Sequence, residues 1–117
     1  MLTEEYRYKI LKELEADPQL SQRELAKRLG ISLGKANYCL KALMEKGLVK
    51  AENFKNNPQK SGYLYLLTLH GLEEKAVLTK RFLKRKIKEH EELTAEIEML
   101  RREVQDNTKD TGTISYR

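Results

Sequence analysis

Residues 21–47 read SQRELAKRLGISLGKANYCLKALMEKG, and this stretch decides the fold. Ser21 is followed three residues later by Glu24, the spacing of a capping box: the serine oxygen accepts from a backbone N–H and the glutamate reaches back. Leu25, Ala26 and Leu29 then supply one apolar helical face, and Gly30 stops the helix, as a glycine just past a last turn commonly does. A second helix starts after Ile31 with Ser32 as its N-cap and runs to about Lys46. Ala36, Cys39, Leu40, Leu43 and Met44 recur in it at three- and four-residue spacing before Gly47 closes it. Two short helices joined by a few residues around a glycine make a helix-turn-helix.

Working outward, Thr3 to Ala16 reads as an amphipathic helix with Tyr6, Ile10, Leu11 and Leu14 on one face, ended by Asp17-Pro18. On the other side the period changes from helical to alternating at Val49 to Phe54. Asn56 to Gly62 is dense in turn formers, and Tyr63 to Leu67 returns as a strand. A hairpin directly after a helix-turn-helix is a wing, so residues 1–70 read as one winged helix-turn-helix domain.

Residues 71–105 read as a single helix roughly 50 Å long at about 1.5 Å per residue, more than so small a domain covers. Steps of four and three connect Leu72, Ala76, Thr79, Leu83, Lys86, His90, Leu93, Ile97, Leu100 and Val104. The last four form a clean a/d seam, which Lys86 and His90 interrupt toward the N-terminus. A seam of this kind needs a second helix, and the expected partner is another copy, giving a homodimer through the C-terminal helix. The basic run Lys80 to Lys88 followed by acidic Glu89 to Glu98 either forms a solvated surface or sets each basic block against the acidic block of an antiparallel partner. Asp106 to Arg117 is polar, lacks periodicity and is expected to be a disordered tail. The fold class is therefore mainly α with a small β-hairpin.

Composition narrows the function. The 117 residues carry a formal net charge of +5, with 35% charged and 39% hydrophobic residues. That balance favours an anionic partner, nucleic acid ahead of a membrane surface. No apolar run is long enough to span a bilayer, and the start at Met1-Leu2-Thr3-Glu4-Glu5 lacks a signal-peptide pattern, so a cytoplasmic location is expected. Cys39 stands alone and half-buried packing is its simplest role, an oxidation sensor the sharper one. His70 and His90 lie far apart without metal-ligand spacing. No phosphate-cradling glycine loop, catalytic triad or paired acids are present, so neither catalysis, cofactor nor metal is expected.

In a helix-turn-helix the N-terminal part of the second helix faces the major groove. Here that part offers Ser32, Leu33, Gly34, Lys35, Asn37, Tyr38 and Lys41. Asn37 suits a bidentate pair with adenine, and Lys35 suits guanine or a phosphate. Gly34 weakens the helix by roughly 1 kcal/mol relative to Ala, which close approach to DNA or a packing need would explain. Ser21, Gln22 and Arg23 open the first helix of the motif, whose positive end favours phosphate. The wing tip adds Lys55, Asn56, Asn57, Lys60 and Ser61 for the DNA backbone or minor groove. The other class of reading is a winged domain that has lost DNA binding and serves as an adaptor through its coiled coil.

Three stretches resemble the MarR-type winged helix regulators, and more narrowly the MarR family regulators associated with exopolysaccharide gene clusters. They are Ile31 to Leu43, Tyr65 to Lys75, and Leu78 to Lys86. The resemblance implies transcriptional control of surface polysaccharide genes by a homodimer on double-stranded DNA. The broader family usually carries a further helix ahead of the DNA-binding part that helps build the dimer and often a ligand pocket. Here the DNA-binding part begins almost at Met1, so pairing is expected to rest on the C-terminal helix.

Overall fold

The computed structural model describes residues 2–53 and 63–111. In chain order these form α1 (Glu4–Ala16), α2 (Gln22–Leu29), α3 (Leu33–Glu45), β1 (Val49–Asn53), β2 (Tyr63–Leu67) and α4 (Leu69–Thr111). The chain divides into two compact units, residues 1–81 and 82–117.

Local chemistry sets the ends of the first three helices. The hydroxyls of Thr3, Ser21 and Ser32 each accept a backbone N–H from the first turn of α1, α2 and α3. At α2 the box is complete, since Glu24 also accepts from the Ser21 backbone. Gly30 and Gly47 take positive φ of 69° and 74°, which lets the chain turn back at once after α2 and α3.

The apolar faces meet in one core. Ile10, Leu11 and Leu14 of α1 pack with Leu25 of α2 and with Cys39, Leu40 and Leu43 of α3, all essentially inaccessible to water. Leu20, Leu48, Val49, Tyr65 and Leu78 close the cluster. β1 and β2 pair antiparallel, with Val49 opposite Leu67 and Asn53 opposite Tyr63. Tyr65 N–H donates to the Pro18 carbonyl at 3.0 Å, tying β2 to the α1–α2 linker.

α4 begins at a tight junction. The Thr68 backbone N–H donates to the Leu48 carbonyl at 3.0 Å, and its hydroxyl donates to the Gly47 carbonyl at 2.6 Å while accepting from Gly71 N–H at 3.0 Å. Gly71 is buried against Leu48, and Leu78, only 2% exposed, is the residue of α4 in the core. Ion pairs join the same turns to α1: Arg7 with Glu74 at 3.3 Å, Arg81 with Glu4 at 2.7 Å, and Lys75 with Glu15. Arg7 and Glu74 are half-buried, while the other two pairs are more open to solvent, where such a pair contributes about 0–1 kcal/mol, less than the burial of Leu78.

Three expectations change. α4 starts at Leu69 instead of Gly71, because Thr68 supplies a cap that its neighbours hid. It continues to Thr111, so residues 106–111, expected in a disordered tail, are helical. The unit boundary falls after Arg81 and not at residue 70, because Leu78 and the α1 ion pairs make the first turns of α4 part of the winged unit. From Leu83 to Thr108 every residue is exposed, Leu83, His90, Leu93, Ile97, Leu100 and Val104 among them. Leu72, Ala76 and Thr79 are also exposed, on the face beside the one that Gly71 and Leu78 bury.

Candidate nucleic-acid interface

The helix-turn-helix consists of α2 and α3, joined by Gly30, Ile31 and Ser32. Burial of Ala36, Cys39, Leu40 and Leu43 fixes the rotation of α3 and therefore which side chains face outward. Ser32, Leu33, Gly34, Tyr38 and Lys41 are exposed, Leu33 by 41% and Tyr38 by 56%. A single α-helix fits the major groove of B-form DNA, and this is the open side of α3.

Two residues expected on that side are placed differently. Asn37 is half-buried, and its Oδ1 accepts from Gln22 Nε2 at 3.3 Å; the same nitrogen donates to Tyr65 Oη at 3.1 Å. α3, α2 and β2 are thus joined by one polar chain. Lys35 is half-buried with Nζ 4.3 Å from the centroid of the Tyr6 ring, a cation–π contact that draws it toward α1. Both residues sit at the edge of the exposed face, held by partners distant in sequence.

Gly34 is resolved more simply. A Cβ at this position would meet nothing within 4 Å, so packing inside the chain does not require glycine there. At the start of α2, Arg23 is exposed and Gln22 half-buried in the chain just described. The hydroxyl of Ser21 is engaged by Glu24 N–H at 3.1 Å and lies 3.1 Å from the Glu24 carboxylate. In this structure the hydroxyl serves as the cap of α2. The wing-tip residues Lys55, Asn56, Asn57, Lys60 and Ser61 lie outside the described residues.

Tyr63 and Tyr65 belong to this region although neither was singled out in the sequence. With Gln22, Arg23 and Leu33 they line an open cleft between the start of α2, the start of α3 and β2. Their rings stack at 6.4 Å with an interplanar angle of 29°, and Tyr63 is 52% exposed. The alternation of β2 was the available signal, since it puts both tyrosines on one face.

Cys39 is fully buried in the core, and burial pushes its thiol pKa up, against a smaller opposing pull from the Lys35 charge. A raised pKa and no access are the properties of a packing cysteine, not of a redox sensor. Among the described residues no cluster of His, Cys, Asp or Glu has metal-holding geometry, and no helix is long and apolar enough to cross a membrane.

Comparison with known proteins agrees with this geometry. Residues 3–50 match a family model described as winged helix-turn-helix DNA-binding. A curated relative, the HTH-type transcriptional regulator LrpA of Pyrococcus horikoshii, is 39% identical over 64 residues, 55% of this chain and 45% of the relative. The chain thus matches about half the length of that protein. Among solved structures, the PcaV transcriptional regulator from Streptomyces coelicolor in complex with its natural ligand superposes with a TM-score of 0.65. It is 23% identical, over 92% of this chain and 74% of that one. A MarR/EmrR family transcriptional regulator from Acinetobacter sp. ADP1 gives 0.64 at 17% identity, over 90% and 75%. An S. aureus MepR mutant bound to an oligodeoxyribonucleotide gives 0.57 at 19% identity, over 84% and 77%. These likenesses establish the fold: the chain carries a winged helix-turn-helix, followed by a long C-terminal helix.

Proposed function

We propose that the chain is a sequence-specific transcriptional regulator that binds double-stranded DNA as a homodimer. The observation that carries this reading is the open side of α3, where Leu33, Gly34, Tyr38 and Lys41 stand exposed on a helix locked by its buried face. The proposed base-reading region is the first half of α3. Arg23 and the positive end of α2 address phosphates, and Lys55 to Ser61 of the wing address the backbone or minor groove. Asn37, held by Gln22, presents its amide from the edge of this region, and Lys35 reaches DNA only by leaving the Tyr6 ring.

The exposed apolar face of α4 supports pairing between two copies, which would set two recognition helices in successive major grooves about 34 Å apart for half-sites one turn apart. The resemblance of Ile31 to Leu43 and Tyr65 to Lys75 to exopolysaccharide-associated MarR regulators points to surface polysaccharide genes as targets. It also points to the cytoplasm as the place of action. No catalytic step belongs to this reading.

The test is fluorescence anisotropy with duplexes from the promoter of the protein's own gene neighbourhood and a scrambled control, each at low and near-physiological salt. A true site holds tighter than the control by roughly 10³-fold or more, and both affinities fall steeply with salt. Equal, salt-sensitive binding to every duplex would reduce the surface to a non-specific basic one. No binding at low salt would replace the regulator with the adaptor, a winged domain that recruits protein through α4.

A further inference from the structure

Between Leu83 and Thr108 the exposed side chains of α4 include Leu93, Ile97, Leu100 and Val104, 43–54% accessible and spaced by four and three residues. We propose that this face packs against the same face of a second copy of the chain with the two helices running parallel and in register. The proposal rests on the homodimer reading above and adds its direction and contacts.

The heptad positions carry the argument. Ile97 and Val104 fall at a, and Leu93 and Leu100 at d, so β-branched residues alternate with leucine in the pattern that favours two parallel strands. Counting the same heptad outward, Glu89, Glu96 and Glu103 all occupy g, while Ile87, Thr94 and Arg101 occupy e. In a parallel pair each g faces the e five residues on in the other helix, which sets Glu96 against the partner's Arg101 twice per dimer. In an antiparallel pair g faces g and e faces e. Over the Leu93–Val104 seam Glu96 would then meet the partner's Glu103, and Arg101 would face the partner's Thr94 with no opposite charge to pair with.

This reverses the block-on-block reading of the charges. Lys84, Arg85 and Lys88 fall at b, c and f, and Glu91, Glu92 and Glu98 at b and c. These outer positions point away from a partner helix in either direction, so the large basic and acidic blocks do not select orientation; the flanking g and e charges do. Within the chain Arg102, at f, pairs with Glu98 at 3.6 Å, while among the described residues no ion pair occupies Glu96 or Arg101. Lys86 at d and His90 at a end the apolar seam on its N-terminal side, so close packing starts at Leu93. Both chains then enter the coil from the same end.

Cysteine cross-linking tests the direction. Leu100→Cys brings two thiols into one d layer of a parallel pair, where a disulfide closes readily. Mild oxidation is expected to give a covalent dimer, while the unsubstituted chain, whose Cys39 is buried, gives none. Glu96→Arg and Arg101→Glu should each raise the dimer dissociation constant by roughly tenfold, and combining them should restore it. The proposal falls if Leu100→Cys alone fails to cross-link in a chain that sedimentation shows to be dimeric, or cross-links only when mixed with a Leu83→Cys chain. A chain that stays monomeric at all concentrations overturns both this proposal and the homodimer, and leaves DNA recognition to its own anisotropy test.

Discussion

Two glycines show how differently the same residue type is used. Gly71 lies so close to the Leu48 carbonyl that an added Cβ would sit 2.1 Å from that oxygen. Gly71→Ala should therefore destabilise the chain by about 1–3 kcal/mol, read as a lower urea midpoint with unchanged slope. Gly34 has open space around it, so Gly34→Ala should stabilise α3 by roughly 1 kcal/mol. If Gly34 is there to let DNA approach, the same variant binds its operator more weakly although it is more stable. A stabilised variant with full affinity would remove that role. Asn37 and Lys35 illustrate the limit of helical counting: it put both near the outer face, but could not see Gln22, Tyr65 or Tyr6 waiting for them.

Among the elements, α2 was the most fully legible, because its beginning and end are both written in local chemistry. Ser21 and Glu24 close a box within four residues, and Gly30 adopts a conformation few other residues take. Ser21→Ala removes one side of that box and should cost about 1 kcal/mol, measurable as a drop in melting temperature. α4 was legible as a long helix and poorly legible at its ends. Its N-terminal cap, Thr68, also bonds Gly47, 21 residues earlier in the chain. Its C-terminal turns carry no apolar period, and residues 106–111 are helical without one.

For the whole molecule, the central prediction couples pairing to DNA binding. Leu93→Ala with Leu100→Ala empties two layers of the proposed coil while leaving the core of residues 1–81 untouched. Affinity for a palindromic duplex should fall by roughly 10²-fold or more, since two linked half-sites act at a high effective concentration that single domains lose. Affinity for one half-site should stay as it was. An undiminished palindrome affinity would mean that the coil does not organise DNA binding. The winged unit has a core of its own, whose buried α4 member is Leu78.

From its sequence the chain specified the order and kind of its elements, the capping of α2 and α3, the rotation of α3 and the presence of an apolar seam on the last helix. These follow from contacts within a few residues and from the 3.6-residue period, both of which are linear properties of the chain. Tertiary structure alone decided that Asn37 is bound to Gln22, that Lys35 leans on Tyr6, and that Leu78 joins the core while Leu72, Ala76 and Thr79 stay outside it. Each of those outcomes depends on groups brought together from distant elements, or on which of two adjacent helix faces meets the core, and neither has a period to read.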